Sequence, residues 1–126
     1  MDIRRAVVIE DDPDISFLIS TLLQAMNYTV STAETGPAGI LAIRDVQPSL
    51  ITTDLGLPDL EGVDVIREAR KNTTAPILVI SARADIAGVE NAMAAGASGY
   101  LAKPFRPRIL QEIVAALQVS AESSAG

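Results

Sequence analysis

Apolar residues fall along this chain in two alternating rhythms. Runs of strand length, rich in Val and Ile, occur at residues 6–9, 28–30, 50–53, 77–80 and 99–102. Between them the apolar positions are spaced for helices. The first is the clearest, because Ile15, Leu18, Ile19, Leu22, Leu23 and Met26 follow the i, i+3, i+4, i+7 spacing of one buried face. Asp12 followed by Pro13 marks its start: an N-cap residue, then a proline at the first helical position, where a missing N–H is no loss. Residues 37–46, 63–71, 86–95 and 107–120 predict four more helices. Gly96 is placed to stop the helix before it, and Leu110, Ile113, Val114 and Leu117 give the last helix an apolar side. Strands that alternate with helices and are apolar nearly throughout predict a parallel sheet covered on both faces, joined by right-handed crossovers. The expected class is therefore α/β, a doubly wound (βα)5 sandwich.

Composition narrows this without redirecting it. At 126 residues the chain fits one domain, read here as 1–119, with the small polar residues 120–126 expected to form a flexible tail or the start of a linker. Hydrophobic residues make up 48% and aromatics 3%, so the core must be built from aliphatic side chains. The absence of cysteine removes disulfides and thiolate metal sites. A net charge of −6 provides no basic footprint, so direct nucleic-acid binding by this domain is not expected. The first apolar run is broken by Glu10-Asp11-Asp12, too early for a signal peptide or membrane span, which predicts a cytoplasmic location.

The candidate chemistry lies where the strands end. In an open parallel sheet, ligands bind beyond the carboxyl ends of the strands, near the point where strand order reverses. Asp11 and Asp12 follow the first run, Asp54 the third, Ser81 the fourth and Lys103 the fifth. Like charges about 4 Å apart repel by roughly 4 kcal/mol at an effective dielectric near 20, so clustered carboxylates need a cation. Mg2+ suits such a site, and Lys103 adds a mobile positive charge. Taken singly, these residues have plainer roles. Asp12 could serve only as a cap, Ser81 as a strand-end hydroxyl satisfied by backbone, Tyr100 as a half-buried sheet residue, Lys103 as a solvated loop lysine and Asp54 as a turn-former.

Read together, the chain resembles the receiver domains of bacterial two-component response regulators, from Val7 to about Leu117. The matching motifs are Glu10-Asp11-Asp12, Asp54-Leu55-Gly56-Leu57-Pro58-Asp59-Leu60-Glu61-Gly62, Ser81-Ala82, Gly96-Ala97 and Tyr100-Leu101-Ala102-Lys103-Pro104-Phe105. The resemblance implies a flavodoxin-like sheet of order 2-1-3-4-5. It implies Asp54 as phosphoacceptor and Asp11, Asp12, Asp54 and the Gly56 carbonyl as Mg2+ ligands. Ser81, Ala82 and Lys103 would bind the phosphoryl group, Tyr100 would rotate inward as the switch, and the Lys103–Pro104 bond would be cis. A phosphohistidine of a sensor histidine kinase or phosphotransfer protein would be the donor, since this chain has no His of its own. On this reading the domain assists its own phosphorylation but is not a turnover enzyme.

The site motifs look most like receivers of winged-helix DNA-binding regulators, whereas the switch face does not. Gly88, Ser98, Gly99, Ile109 and Ile113 stand where that class carries the charges through which it dimerises, and residues 96–101 look more like regulators with a helix-turn-helix output. A homodimer through the fourth helix, fifth strand and fifth helix would thus rest on apolar contact, with Ile109 and Ile113 as candidates. Gly88 should leave the fourth helix comparatively mobile.

The alternative function is an unphosphorylated pseudo-receiver acting as a protein-binding module. The presence of Asp11, Asp12, Asp54, Ser81 and Lys103 argues against it. An aspartyl phosphohydrolase of the haloacid dehalogenase type would need a second Asp where Gly56 stands, and no glycine-rich nucleotide loop follows the first strand.

Overall fold

The computed structural model describes residues 4–57, 62–83 and 85–125, the last three by their backbone alone. Pro58, Asp59, Leu60 and Glu61 of the motif after Asp54 lie outside the described residues, as does Gly126. Five strands and five helices alternate: β1 (Arg4–Ile9), α1 (Pro13–Gln24), β2 (Tyr28–Ala33), α2 (Gly36–Val46), β3 (Leu50–Thr53), α3 (Gly62–Arg70), β4 (Ile77–Ser81), α4 (Ile86–Ala95), β5 (Gly99–Ala102) and α5 (Pro107–Ala125). The strands form one parallel sheet in the order β2-β1-β3-β4-β5, as expected.

Side chains alternate across the sheet, which makes two cores. Val7, Ile9, Ile51, Ile77 and Val79 face α2, α3 and α4 through Ile40, Ile43, Val65, Ile66 and Ala92. Ala6, Val8, Leu50, Leu78 and Ile80 face α1 and α5 through Ile19, Leu23, Leu110 and Val114. Strands β1, β3 and β4 supply apolar side chains to both layers, which is why they read as unbroken apolar runs. The central residues are almost fully removed from water, each large aliphatic side chain contributing about 1.5–3 kcal/mol on burial.

Local details depart from the sequence expectations in instructive ways. The expected cap of α1 is present: an Asp12 carboxylate oxygen accepts from the Asp14 and Ile15 N–H groups at 2.9 and 3.2 Å. Leu18 is 38% exposed and so leaves the buried face of α1, which is carried by Ile19 and Leu23. Helix α5 continues to Ala125, correcting the expected end at Ser120. Neither proline nor glycine interrupts residues 108–125, and Glu122 pairs with Arg4 of β1 at 2.8 Å. The Tyr28 hydroxyl donates to Gln118 at 2.6 Å, a buried contact that ties the same helix to β2.

Candidate functional site

Sheet hydrogen bonding persists one residue beyond the strands and fixes the backbone of the site. The Glu10 N–H donates to Ala33 O at 2.9 Å, Asp54 N–H to Ile9 O at 3.3 Å and Lys103 N–H to Ser81 O at 2.9 Å. Ile9 pairs with Thr53 and Ser81 with Ala102, so each polar residue emerges beside its neighbour at the carboxyl edge. Gly62, at the start of α3, packs over this edge. A Cβ there would stand 2.8 Å from Asp54 O and would also overlap Leu55 Cα, so only glycine lets α3 begin so near.

Lys103 Nζ lies between two carboxylates, 2.6 Å from Asp54 Oδ2 and 2.7 Å from Glu10 Oε1. The other oxygens are held as well: Asp54 Oδ1 accepts from Gly56 N–H at 2.9 Å, and Glu10 Oε2 from Asp12 N–H at 3.1 Å. Burial pushes the Asp54 carboxyl up, but the Gly56 N–H, the Lys103 ammonium and the Ser81 hydroxyl outweigh it and hold the group below its usual range. Glu10 responds oppositely. Burial raises it, its bonds to Lys103 and Asp12 only partly offset that, and the Asp54 charge pushes the same way as burial. Burial would lower Lys103, yet its bonds to Asp54 and Glu10 more than reverse this and raise it.

Glu10, Asp11 and Asp54 offer carboxylate oxygens all within 4.8 Å of one another. The carboxylates brought beside Asp54 are those of Glu10 and Asp11, whereas the sequence expectation set Asp12 with Asp11. The reason is local geometry: Glu10 still follows the strand and turns inward, whereas the Asp12 carboxylate is taken by the α1 cap. Glu10, only 3% exposed, is the residue the sequence reading passed over. Its signal was its position directly after the apolar run of β1. Three hard anionic donors against one ammonium leave excess negative charge, a set that fits Mg2+.

The family model for the response regulator receiver domain matches residues 6–115. The chain belongs to this family. The receiver is 40% identical over 99 residues to the transcriptional regulatory protein KdpE of Mycobacterium tuberculosis, covering 79% of this chain and 44% of KdpE. It is 31% identical over 107 residues to the DNA-binding response regulator MtrA of Mycolicibacterium smegmatis, covering 85% of this chain and 47% of MtrA. The chain thus spans about half the length of these relatives. Among solved structures, the CheY-like response regulator receiver domain protein of Methanospirillum hungatei superposes with a TM-score of 0.93 at 26% identity, over 98% of this receiver and 99% of that chain.

The remaining site residues take up defined positions in the receiver. Ser81 is buried at the end of β4, its hydroxyl accepting from Arg83 N–H at 3.2 Å, and Ala82 follows it, exposed. The Lys103–Pro104 peptide bond is cis. Tyr100 packs against the core on the α2–α4 side. Among the described residues its buried hydroxyl has no partner at hydrogen-bonding geometry, although Ser81 is near enough to moderate the upward shift that burial imposes. Tyr100 therefore points inward, half-buried against that core. Among the described residues, no helix is long and apolar enough to cross a membrane.

Proposed function

We propose that Asp54 accepts a phosphoryl group from the phosphohistidine of a partner histidine kinase or phosphotransfer protein, and that the receiver switches conformation in response. The observation that carries this reading is the grip on Asp54: Gly56 N–H on one oxygen, Lys103 on the other, with Glu10 and Asp11 alongside. A carboxylate held ionised below its usual range is a competent nucleophile at neutral pH. Attack in line forms the Asp54 O–P bond as the P–N bond to the donor imidazole breaks. Lys103, already bonded to Asp54, neutralises charge on the transferring oxygens, and the Ser81 hydroxyl and Ala82 N–H receive the others. Mg2+, held by Asp11, Asp54, the Gly56 carbonyl and Glu10, would supply further charge neutralisation. The product is an acyl phosphate, so the domain is a reversible acceptor and not a turnover enzyme.

The relatives suggest the output. KdpE is a transcriptional regulatory protein and MtrA a DNA-binding response regulator, so the receiver would control transcription through a separate module in the cytoplasm. A homodimer through α4, β5 and α5 is the proposed partner state, on the exposed apolar residues Ile86, Met93 and Ile109. Incubation with acetyl phosphate and Mg2+ tests the central claim by intact mass. The native chain should gain one phosphoryl group and Asp54→Asn none. A native chain that neither gains it nor binds beryllofluoride would leave the pseudo-receiver reading in its place.

A further inference from the structure

Helix α4 is held very differently at its two ends. Its only fully buried side chain is Ala92, in its second half, whereas Ile86 in the first turn is 76% exposed and Ala87 is exposed beside it. Among the described residues the start is closed by the cap of Asp85, whose Oδ2 accepts from Gly88 N–H at 3.3 Å. The other end is bolted down. Gly96 N–H and Ala97 N–H close the last turn on Met93 O and Ala92 O, and Ser98 N–H donates to Ile77 O of β4 at 2.8 Å.

Arg70, the last residue of α3, joins these pieces. Its Nε donates to Gly96 O at 2.8 Å, Nη1 to Ala75 O at 2.6 Å and Thr73 O at 3.4 Å, and Nη2 to Ser98 Oγ at 3.2 Å. The same Ser98 Oγ accepts from Ile77 N–H at 3.0 Å. The Arg70 stem also fills the space over Gly96, where a Cβ would stand 2.6 Å from Arg70 Cγ, and the Gly96 φ of 122° favours glycine in its own right. One rigid guanidinium fork thus links the segment before β4 to the segment before β5.

We propose that Arg70 is a positioning residue that fixes the C-terminal end of α4 to the sheet, so that α4 moves by pivoting its first turns about residues 96–98. The free end is the one that follows β4 and Ser81. The fixed end lies at the opposite edge of the sheet, away from Asp54. Displacement at Ser81 is thereby converted into a tilt of α4 and not into a translation of the whole helix.

Hydrogen exchange in the resting protein tests the anchor. Amides 95–98 should exchange at least about tenfold more slowly than amides 87–90. Arg70→Met, which keeps the stem and loses the bonds, should erase that difference, and Arg70→Lys should restore part of it. Equal exchange at the two ends of the native helix, or unchanged protection of residues 95–98 in Arg70→Met, would overturn the proposal. Should Arg70→Met not fold, Ser98→Ala should weaken the same protection, and failure to do so would count equally against it. With beryllofluoride and Mg2+, exchange changes in α4 should be confined to residues 85–90 in the native chain and extend through residue 98 in Arg70→Met. This second arm rests on Asp54 as phosphoacceptor. No response in either protein would reject that reading, while the resting gradient decides the anchor by itself.

Discussion

At the scale of single residues, Lys103 is the counter-charge on which the acidic edge depends. Its side chain is 13% exposed and lies against two carboxylates that repel each other. Removing one partner of such a pair leaves uncompensated charge, so Lys103→Met should destabilise the receiver by about 1–3 kcal/mol in urea unfolding. Combined with Asp54→Asn the loss should be smaller than the sum of the two single effects, by more than about 0.5 kcal/mol. An additive cycle would show that the contact carries no net coupling. The pKa directions give the pH dependence. Asp54 is lowered on folding, so its contribution is present above the ordinary carboxylate range and is lost as acid titrates it through its lowered value. Lys103 is raised, so its contribution is present below the ordinary lysine range and is lost as pH rises through its raised value. Glu10, raised by burial, has the opposite sign to Asp54: stability falls as pH rises from the ordinary carboxylate range through its raised value. A series of melting temperatures should therefore show Asp54→Asn removing part of the acid loss and Glu10→Gln removing the decline just above it.

At the scale of elements, the start of α1 separates two jobs that adjacent acids could have shared. Asp12 caps the helix while Glu10 and Asp11 face Asp54. Asp12→Ala should cost about 1 kcal/mol of stability, and Asp12→Asn, which keeps a capping oxygen, much less. Neither should change Mg2+ affinity measured by calorimetry more than about threefold, whereas Asp11→Asn should weaken it by an order of magnitude or more. A large loss of affinity in Asp12→Asn would return Asp12 to the metal site. Why the cap was legible and the acidic pair beside Asp54 was not has a simple physical basis. A cap is a local relation between neighbours in the chain, while the inward turn of Glu10 depends on pairing with β2, more than twenty residues away.

At the scale of the whole molecule, the two cores fill both faces of the sheet, and its acidic carboxyl edge and the exposed apolar residues of α4 and α5 lie outside them. Ile109 and Ile113 divide between core and surface. Ile113 packs into the core beside Leu110 and Val114, and Ile109 stays 39% exposed. Ile109→Glu is therefore the substitution that probes association without opening the core. If the apolar face forms the dimer, the beryllofluoride-bound native protein should sediment as a dimer and Ile109→Glu as a monomer, both with the same melting temperature within about 1–2 °C. A native protein that stays monomeric would remove the face as a self-association surface.

Much of this was written in the chain itself. Unbroken apolar runs of strand length and helical stripes gave the alternation of elements, their order along the chain and the two-faced sheet, because a strand buried on both faces is apolar at every position and a helix buried on one side only at helical spacing. Asp54, Ser81 and Lys103 were legible for a related reason: each is the polar residue that ends an apolar strand, and in a parallel sheet those ends share one edge. Tertiary structure alone decided the rest. It brought Glu10 beside Asp11 and Asp54, turned Tyr100 inward, extended α5 to Ala125 on contacts to β1 and β2, and set Arg70 across two loops. Each of these depends on partners distant in sequence, and no local pattern records which way a side chain turns when the competing partners are brought together only by folding.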